Sequence, residues 1–247
     1  MSYYSKLIYQ IDRVFLTFIE KIVNTGIKKA IKKFYIDIVY GILKSKSIVI
    51  SSIAYELNEE TTLKKTIDRL IIYLDSSINP VILHNYKALL LSKMPQNTLK
   101  IFCVDDTDVI KPYGKKFENL GRVKDGSAKE ITYEKGYRVT SIIGLTEKTK
   151  HPLPFINEFH SETQPGYNSI NEVTHNNLKG IINYLEDYTS VFVFDRGYDD
   201  NKMFKFFKQN RQYFVIRLTK KRSAIIKRKK IKIIELCKRK KGKIIFL

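Results

Sequence analysis

Long apolar runs are missing from this 247-residue chain; none approaches the roughly 18 residues that a membrane span requires. Its opening, MSYYSKLIYQIDRVF, carries an acid at Asp12 and no small-residue cleavage site, so it does not read as a signal peptide. Cysteine is scarce. Cys103 and Cys237 are too far apart for any metal or disulfide spacing, and read as reduced thiols in a cytosolic protein. The four histidines, His84, His151, His160 and His175, form no ligand spacing and read as structural or surface groups. There is no glycine-rich phosphate loop of the P-loop type and no nucleophilic Ser/His/Asp set. These absences argue against a membrane protein, a disulfide scaffold, a zinc protein and two large enzyme classes.

Acid is also missing, but only at one end. From Asn201 to Leu247 there are 18 lysines and arginines against a single acid, Glu235, whereas the first 200 residues hold 27 basic and 24 acidic groups. Most of the net charge of +20 therefore sits in the last fifth of the chain. That asymmetry is an electrostatic footprint for a polyanion, most simply DNA or RNA. A solvated basic tail, or lysine enrichment from an AT-rich genome, would look similar.

What is present is a globular composition, 43% hydrophobic and 12% aromatic. Residues 1–95 read as a helical N-terminal region. Ile8, Ile11, Phe15, Phe18, Ile19 and Ile22 recur at helical spacing, and Leu63, Ile67, Leu70, Ile71 and Leu74 do so again in LKKTIDRLIIYLD. A short helix starting near Ser51 or Ser52 would lie between them, an order compatible with a helix-turn-helix DNA reader. After MPQNT the pattern changes, and residues 96–247 read as a second domain. KIFCVD is a short strand ending in acids. A polar stretch runs from about Asp106 to Gly136. Two extended runs follow, YRVTSIIGLT and HPLPFINEF, then a helical NSINEVTHNNLKGIINYLEDY. SVFVFD is a strand ending at Asp195, DDNKMFKFFKQN a short helix, and QYFVIRL a last strand. The order β-β-β-α-β-α-β predicts an α/β domain with a mixed sheet flanked by helices.

The two strands that end in acids carry the chemistry. Sites in open α/β sheets form beyond the carboxyl ends of strands. If the strands ending at Asp105 and Asp195 are neighbours, their carboxylates share a small volume and repel, and a divalent cation relieves that repulsion. Oxygen ligands suit Mg²⁺ or Mn²⁺, and a pair of such ions activates a nucleophile and stabilises the leaving oxygen at a phosphodiester. A turn preference for Asp explains either residue singly, but two in this order are harder to dismiss.

VDDTDVIKPYGKK resembles the first-aspartate segment of DDE transposases of bacterial insertion sequences, in the group with the Y-x2-R-x3-E-x6-K signature. VFVFDRGYDD followed by YFVIRLTKKR resembles the second-aspartate segment of that group, and YGILKSKSIVISSIAYEL the region preceding its catalytic domain. The resemblance implies an RNase H-like fold, Mg²⁺- or Mn²⁺-dependent DNA strand cleavage and transfer, DNA as partner, and a synaptic homodimer. It also implies a cytoplasmic, nucleoid-associated location. On it, Asp105 and Asp195 are the first two metal-binding, catalytic aspartates; Asp106 competes with Asp105, which falls two before Thr107 as in D-x-T. Lys111, Arg196 and Arg217 become candidate phosphate contacts, and Lys220, Lys221 and Arg222 part of a basic DNA track.

The third carboxylate does not follow. Placing Glu235 in the signature requires Tyr at 228, Arg at 231 and Lys at 242, where the chain has Arg228, Ile231 and Gly242. Residues 222–247 instead resemble the start of the β-rich insertion that precedes the glutamate in the family. The expectation is a truncated or split transposase. The alternatives are a catalytically inactive DNA-binding remnant, or an unrelated RNase H-like nuclease using a further acid such as Glu162 or Asp199.

Overall fold

The apolar spacing of the N-terminal region is realised as five helices in a computed structural model that describes residues 3–23, 27–75, 78–114, 116–125, 130, 132–226 and 228–239. It divides into two units, Met1–Leu91 and Ser92–Leu247. In the first, α1 (Tyr3–Val23) buries Ile19, Ile22 and Val23 against Ile82 of α5 (Pro80–Leu91). A second apolar cluster joins α2 (Lys29–Ser45), α3 (Ile50–Leu57) and α4 (Leu63–Leu74) through Phe34, Ile53, Ala54 and Leu70. Gly41 leaves no room for a β-carbon beside Ile53, which lets α2 and α3 approach closely. α3 begins one or two residues before the serines that marked its expected start, because Ser47 accepts the Val49 N–H and holds the approach. Arg69 ties the turn to the bundle, pairing with Asp37 at 2.8 Å and with Glu59 at 3.0 Å. Lys33, hydrogen-bonded to Glu59, holds the Glu59 carboxyl below the usual range. No helix among the described residues is long and apolar enough to cross a membrane.

The second unit is a mixed sheet with flanking helices. Its strands are β1 (Lys100–Ile110), β2 (Gly121–Asp125), β3 (Thr132–Leu145), β4 (Pro152–His160), β5 (Ser190–Phe194) and β6 (Tyr213–Ile216). The order is β2-β3-β1-β5-β6, with β4 also paired to β3. β1, β5 and β6 run parallel, while β3 is antiparallel to β1, β2 and β4. Helices α6 (Ile170–Ile182) and α7 (Asn201–Gln209) supply the crossovers. Ser169 caps α6 by accepting the Glu172 N–H, and Asp200 caps α7 through Lys202.

Three expectations need correction. β1 does not stop at Asp105, and the polar stretch 106–136 is not one long loop. β1 continues to Ile110 because β3 is long enough to pair every residue from Phe102 to Ile110, satisfying the backbone of the acidic segment despite its poor strand propensity. β2 and the start of β3 fall within the remainder, and β2 is a strand that the sequence pattern does not announce. The helix expected over 168–188 is also shorter, and its last residues form turns after Ile182.

One face of the sheet is aromatic and covered. Phe102 and Phe192 stack at 4.9 Å, and Phe207 of α7 packs on Phe192 and Phe214 at 5.2 and 5.4 Å. The opposite face presents Cys103, Val193 and Val215 in one row and Ile101, Val191 and Tyr213 in another. Tyr213 is 48% exposed and Val215 56%, so this face is open. Beyond the sheet, β7 (Ser223–Ile226) and β8 (Lys229–Lys232) form a separate hairpin, followed by α8 (Ile233–Arg239). Glu235 lies on α8; the terminal IIFL lies outside the described residues.

Candidate active site

Strand alternation assigns the acids to faces. Phe102 and Val104 are buried, so Asp106 and Asp108 continue their face, while Cys103, Asp105 and Thr107 belong to the open one. On β5, Phe192 and Phe194 are buried and Asp195 follows on the open side. The register pairs Cys103 with Val193 and Val104 with Phe194, so the next row holds Asp105 and Asp195. The parallel ladder thus brings the two carboxylates to neighbouring strand ends, each one residue past its last pair. Burial pushes the Asp105 carboxyl above its usual value; the Asp106 backbone N–H opposes this, and the charges of Asp195 and Asp106 add to it.

Asp195 is held by its own turn. Its Oδ1 accepts the Gly197 N–H at 2.6 Å and caps a single 3₁₀ turn, Arg196–Tyr198. A β-carbon at position 197 would lie 2.9 Å from that oxygen, so a larger residue there would shift the Asp195 carboxylate. The second carboxylate oxygen keeps its acceptor capacity.

Asp106 is on the other side. It accepts a 2.6 Å hydrogen bond from Thr140 Oγ1, which lies 2.9 Å from His160 Nε2. Asp108 beside it pairs with Arg138 at 3.0 Å. Asp105 and Asp106, adjacent in sequence, therefore serve opposite faces, and only Asp105 shares a row with Asp195. Neither Thr140 nor His160 has a sequence signal, since they lie 34 and 54 residues beyond Asp106 and reach it only through the β1–β3–β4 register.

The candidate basic residues divide. Lys111, Arg196, Arg217, Lys220 and Lys221 are exposed. Arg222 is engaged inside the fold. It forms an ion pair with Asp199, donates to Asn201 Oδ1 at 2.6 Å and to the Asp199 carbonyl at 3.0 Å, and lies over the Phe204 ring at 4.7 Å. Asp199 is itself buried, its side chain 2% exposed, and also accepts the Thr219 N–H. Of the two further acids considered, Asp199 is thus neutralised by Arg222, and Glu162 accepts the Arg122 N–H beside β2. Among the described residues no three His, Cys, Asp or Glu side chains converge as a metal cage.

No family model matches the sequence, and no curated protein does. Among solved structures, the chain is similar to a piggyBac transposase synaptic complex with hairpin DNA, at 10% identity and a TM-score of 0.38 over 83% of this chain and 48% of that one. It is also similar to a Drosophila P element transposase strand transfer complex, at 13% identity and a TM-score of 0.25 over 87% of this chain and 55% of that one. A Mos1 transposase paired-end complex with the left transposon end shares 12% identity at a TM-score of 0.27, over 72% of this chain and 56% of that one. The chain thus spans about half the length of each. At these scores the likenesses add no argument about the site, which stands on its own residues.

Two adjacent carboxylates with oxygen-only donors fit a hard divalent cation. Magnesium is commonly held by one or two carboxylates, with waters and substrate phosphate filling the remaining positions. Burial is the main cause of the raised Asp105 carboxyl, and a cation between the two groups would offset the smaller contribution that the Asp195 charge makes.

Proposed function

We propose that this chain is a DDE-type DNA transposase domain in which Asp105 and Asp195 hold Mg²⁺ or Mn²⁺ against a DNA phosphodiester. The observation that carries the reading is the shared row of Asp105 and Asp195 on the open face of the sheet. A bound divalent ion there would supply charge neutralisation and activation of a water or 3′-hydroxyl. The chain's own residues do the rest. Asp195 is oriented by Gly197, Asp105 by the β1–β3 ladder, and Arg196 and Arg217 at the same strand ends offer cations to the DNA backbone. Lys111, Lys220 and Lys221 extend that basic surface. DNA is the partner, held in the proposal by a synaptic pair of chains.

The test is nicking of plasmid DNA and Mn²⁺ binding, compared in the wild type, Asp105→Asn and Asp195→Asn. Both variants are expected to lose cleavage and to weaken Mn²⁺ binding at least about tenfold. Cleavage that persists unchanged in Asp195→Asn would overturn the assignment. A second reading, a DNA-binding remnant, is favoured by one observation, the absence of a third converging acid among the described residues. It predicts salt-dependent DNA binding with no cleavage by the wild type.

A further inference from the structure

The backbone ladder between β1 and β5 ends at Val104 and Phe194, one residue short of both carboxylates. The spacing of Asp105 and Asp195 is therefore not set by strand pairing. Something past the ladder has to hold the two strand ends together.

The covered side of the sheet carries a polar group suited to that. Asp106 follows Asp105 directly and accepts the Thr140 hydroxyl proton. Because that proton is committed, the 2.9 Å contact between Thr140 Oγ1 and His160 Nε2 requires the imidazole to donate from Nε2. His160 is 1% exposed, and burial holds its pKa below the usual value, so it is neutral. Its ring stacks on Tyr167 at 5.9 Å. Asp106 is thus fixed from the β3–β4 side.

From the other side comes Tyr198, three residues after Asp195. Its ring packs on Phe194 at 5.0 Å, and the residue is 4% exposed. Its hydroxyl faces the Asp106 carboxylate and the Thr174 hydroxyl, yet no acceptor sits in full hydrogen-bonding geometry. Burial, then the Asp106 charge, drives the phenol pKa far up, so the group keeps its proton and can only approach Asp106 as a donor. A phenylalanine would fill the same apolar site without burying a hydroxyl, which costs stability when unpaired. The hydroxyl is therefore explained by the carboxylate it faces rather than by packing.

We infer that Tyr198 is a positioning residue: its buried hydroxyl, short of full hydrogen-bonding geometry here, donates to Asp106 as a divalent cation draws the β1 and β5 ends together, and so sets the separation of Asp105 and Asp195 in the bound state. This rests on the reading of those two aspartates as ligands. Thr140 and His160 complete the tie by holding Asp106 still.

The experiment is an EPR titration of Mn²⁺ into the full chain, with a thermal melt of each protein, for the wild type, Tyr198→Phe, Asp106→Asn and Asp105→Asn. Tyr198→Phe is expected to melt at or above the wild-type temperature while its Mn²⁺ Kd rises about tenfold. Asp106→Asn, which keeps the shape but offers a weaker neutral acceptor, should weaken Mn²⁺ in the same direction. A merely structural tyrosine would lower the melting temperature and leave the Kd of the folded protein alone. A Kd within twofold of wild type in Tyr198→Phe, with Asp105→Asn no longer binding, overturns the positioning role and leaves the metal reading standing. Unchanged Mn²⁺ binding in Asp105→Asn overturns the metal reading itself, and the tie with it. Should Tyr198→Phe not fold, Asp106→Asn decides by the same thresholds.

Discussion

At the scale of single residues, the second unit buries more titratable chemistry than its candidate site uses. His160 is buried against Thr140 and Tyr167, and His175 stacks on Phe206 at 4.7 Å. Each has one ring nitrogen with no hydrogen-bond partner, and burial lowers the pKa of both. The sign of the pH effect follows. An unfolded histidine takes up its proton near pH 6.5, whereas these two take it up lower when folded. The unfolded chain then binds more protons, so stability is full above about pH 6.5 to 7 and is lost as pH falls below it. The slope cannot exceed about 1.4 kcal/mol per pH unit for each histidine. Asp105 works the other way, since its raised carboxyl regains stability on protonation, but at the lower pH of carboxylates. Urea midpoints from pH 7.5 to 5.5 should fall in the wild type and fall less in His160→Gln. A flat wild-type profile would show that neither imidazole is held neutral by the fold.

At the scale of elements, the segment after β6 is pinned to the end of β5 by Arg222 and Asp199. The pair is buried on the Asp199 side and reinforced by Asn201 and Phe204. Removing the guanidinium strands a buried carboxylate, which costs about 3 kcal/mol. Arg222→Ala is expected to lose that much in chemical denaturation, and Arg222→Lys should recover only part, because an ammonium cannot reproduce the forked contacts. DNA affinity of the folded fraction should change little. A variant that keeps wild-type stability but loses DNA affinity would return Arg222 to the DNA track.

At the scale of the whole molecule, positive charge is concentrated rather than spread. Residues 220–232 contain eight lysines and arginines and no acid, and the β7–β8 hairpin presents Arg228, Lys229, Lys230 and Lys232 to solvent. Each phosphate neutralised adds about 0.9 to the slope of log affinity against log salt on duplex DNA. Lys229→Gln with Lys230→Gln should therefore reduce that slope by about 1.8 without lowering the melting temperature. A slope that does not move would remove the hairpin from the DNA interface.

Much of the architecture was legible without coordinates because it is written in local periodicity. The spacing of Leu63 to Leu74 specifies α4, and the β-branched and aromatic run before Asp195 specifies β5. The position of Asp195 at the end of an apolar strand was equally local. Other features depend on partners distant in sequence. The extension of β1 past Asp105, and β2 itself, exist because a long β3 pairs with a segment whose own propensity argues against a strand. Asp105 and Asp106 look equivalent as letters. They differ because successive residues of a strand face opposite sides, and only the sheet says which side meets Asp195 and which meets Thr140. The family resemblance put Arg222 in a basic DNA track; the fold pairs it with Asp199, since a buried carboxylate demands a counter-charge wherever the chain can supply one.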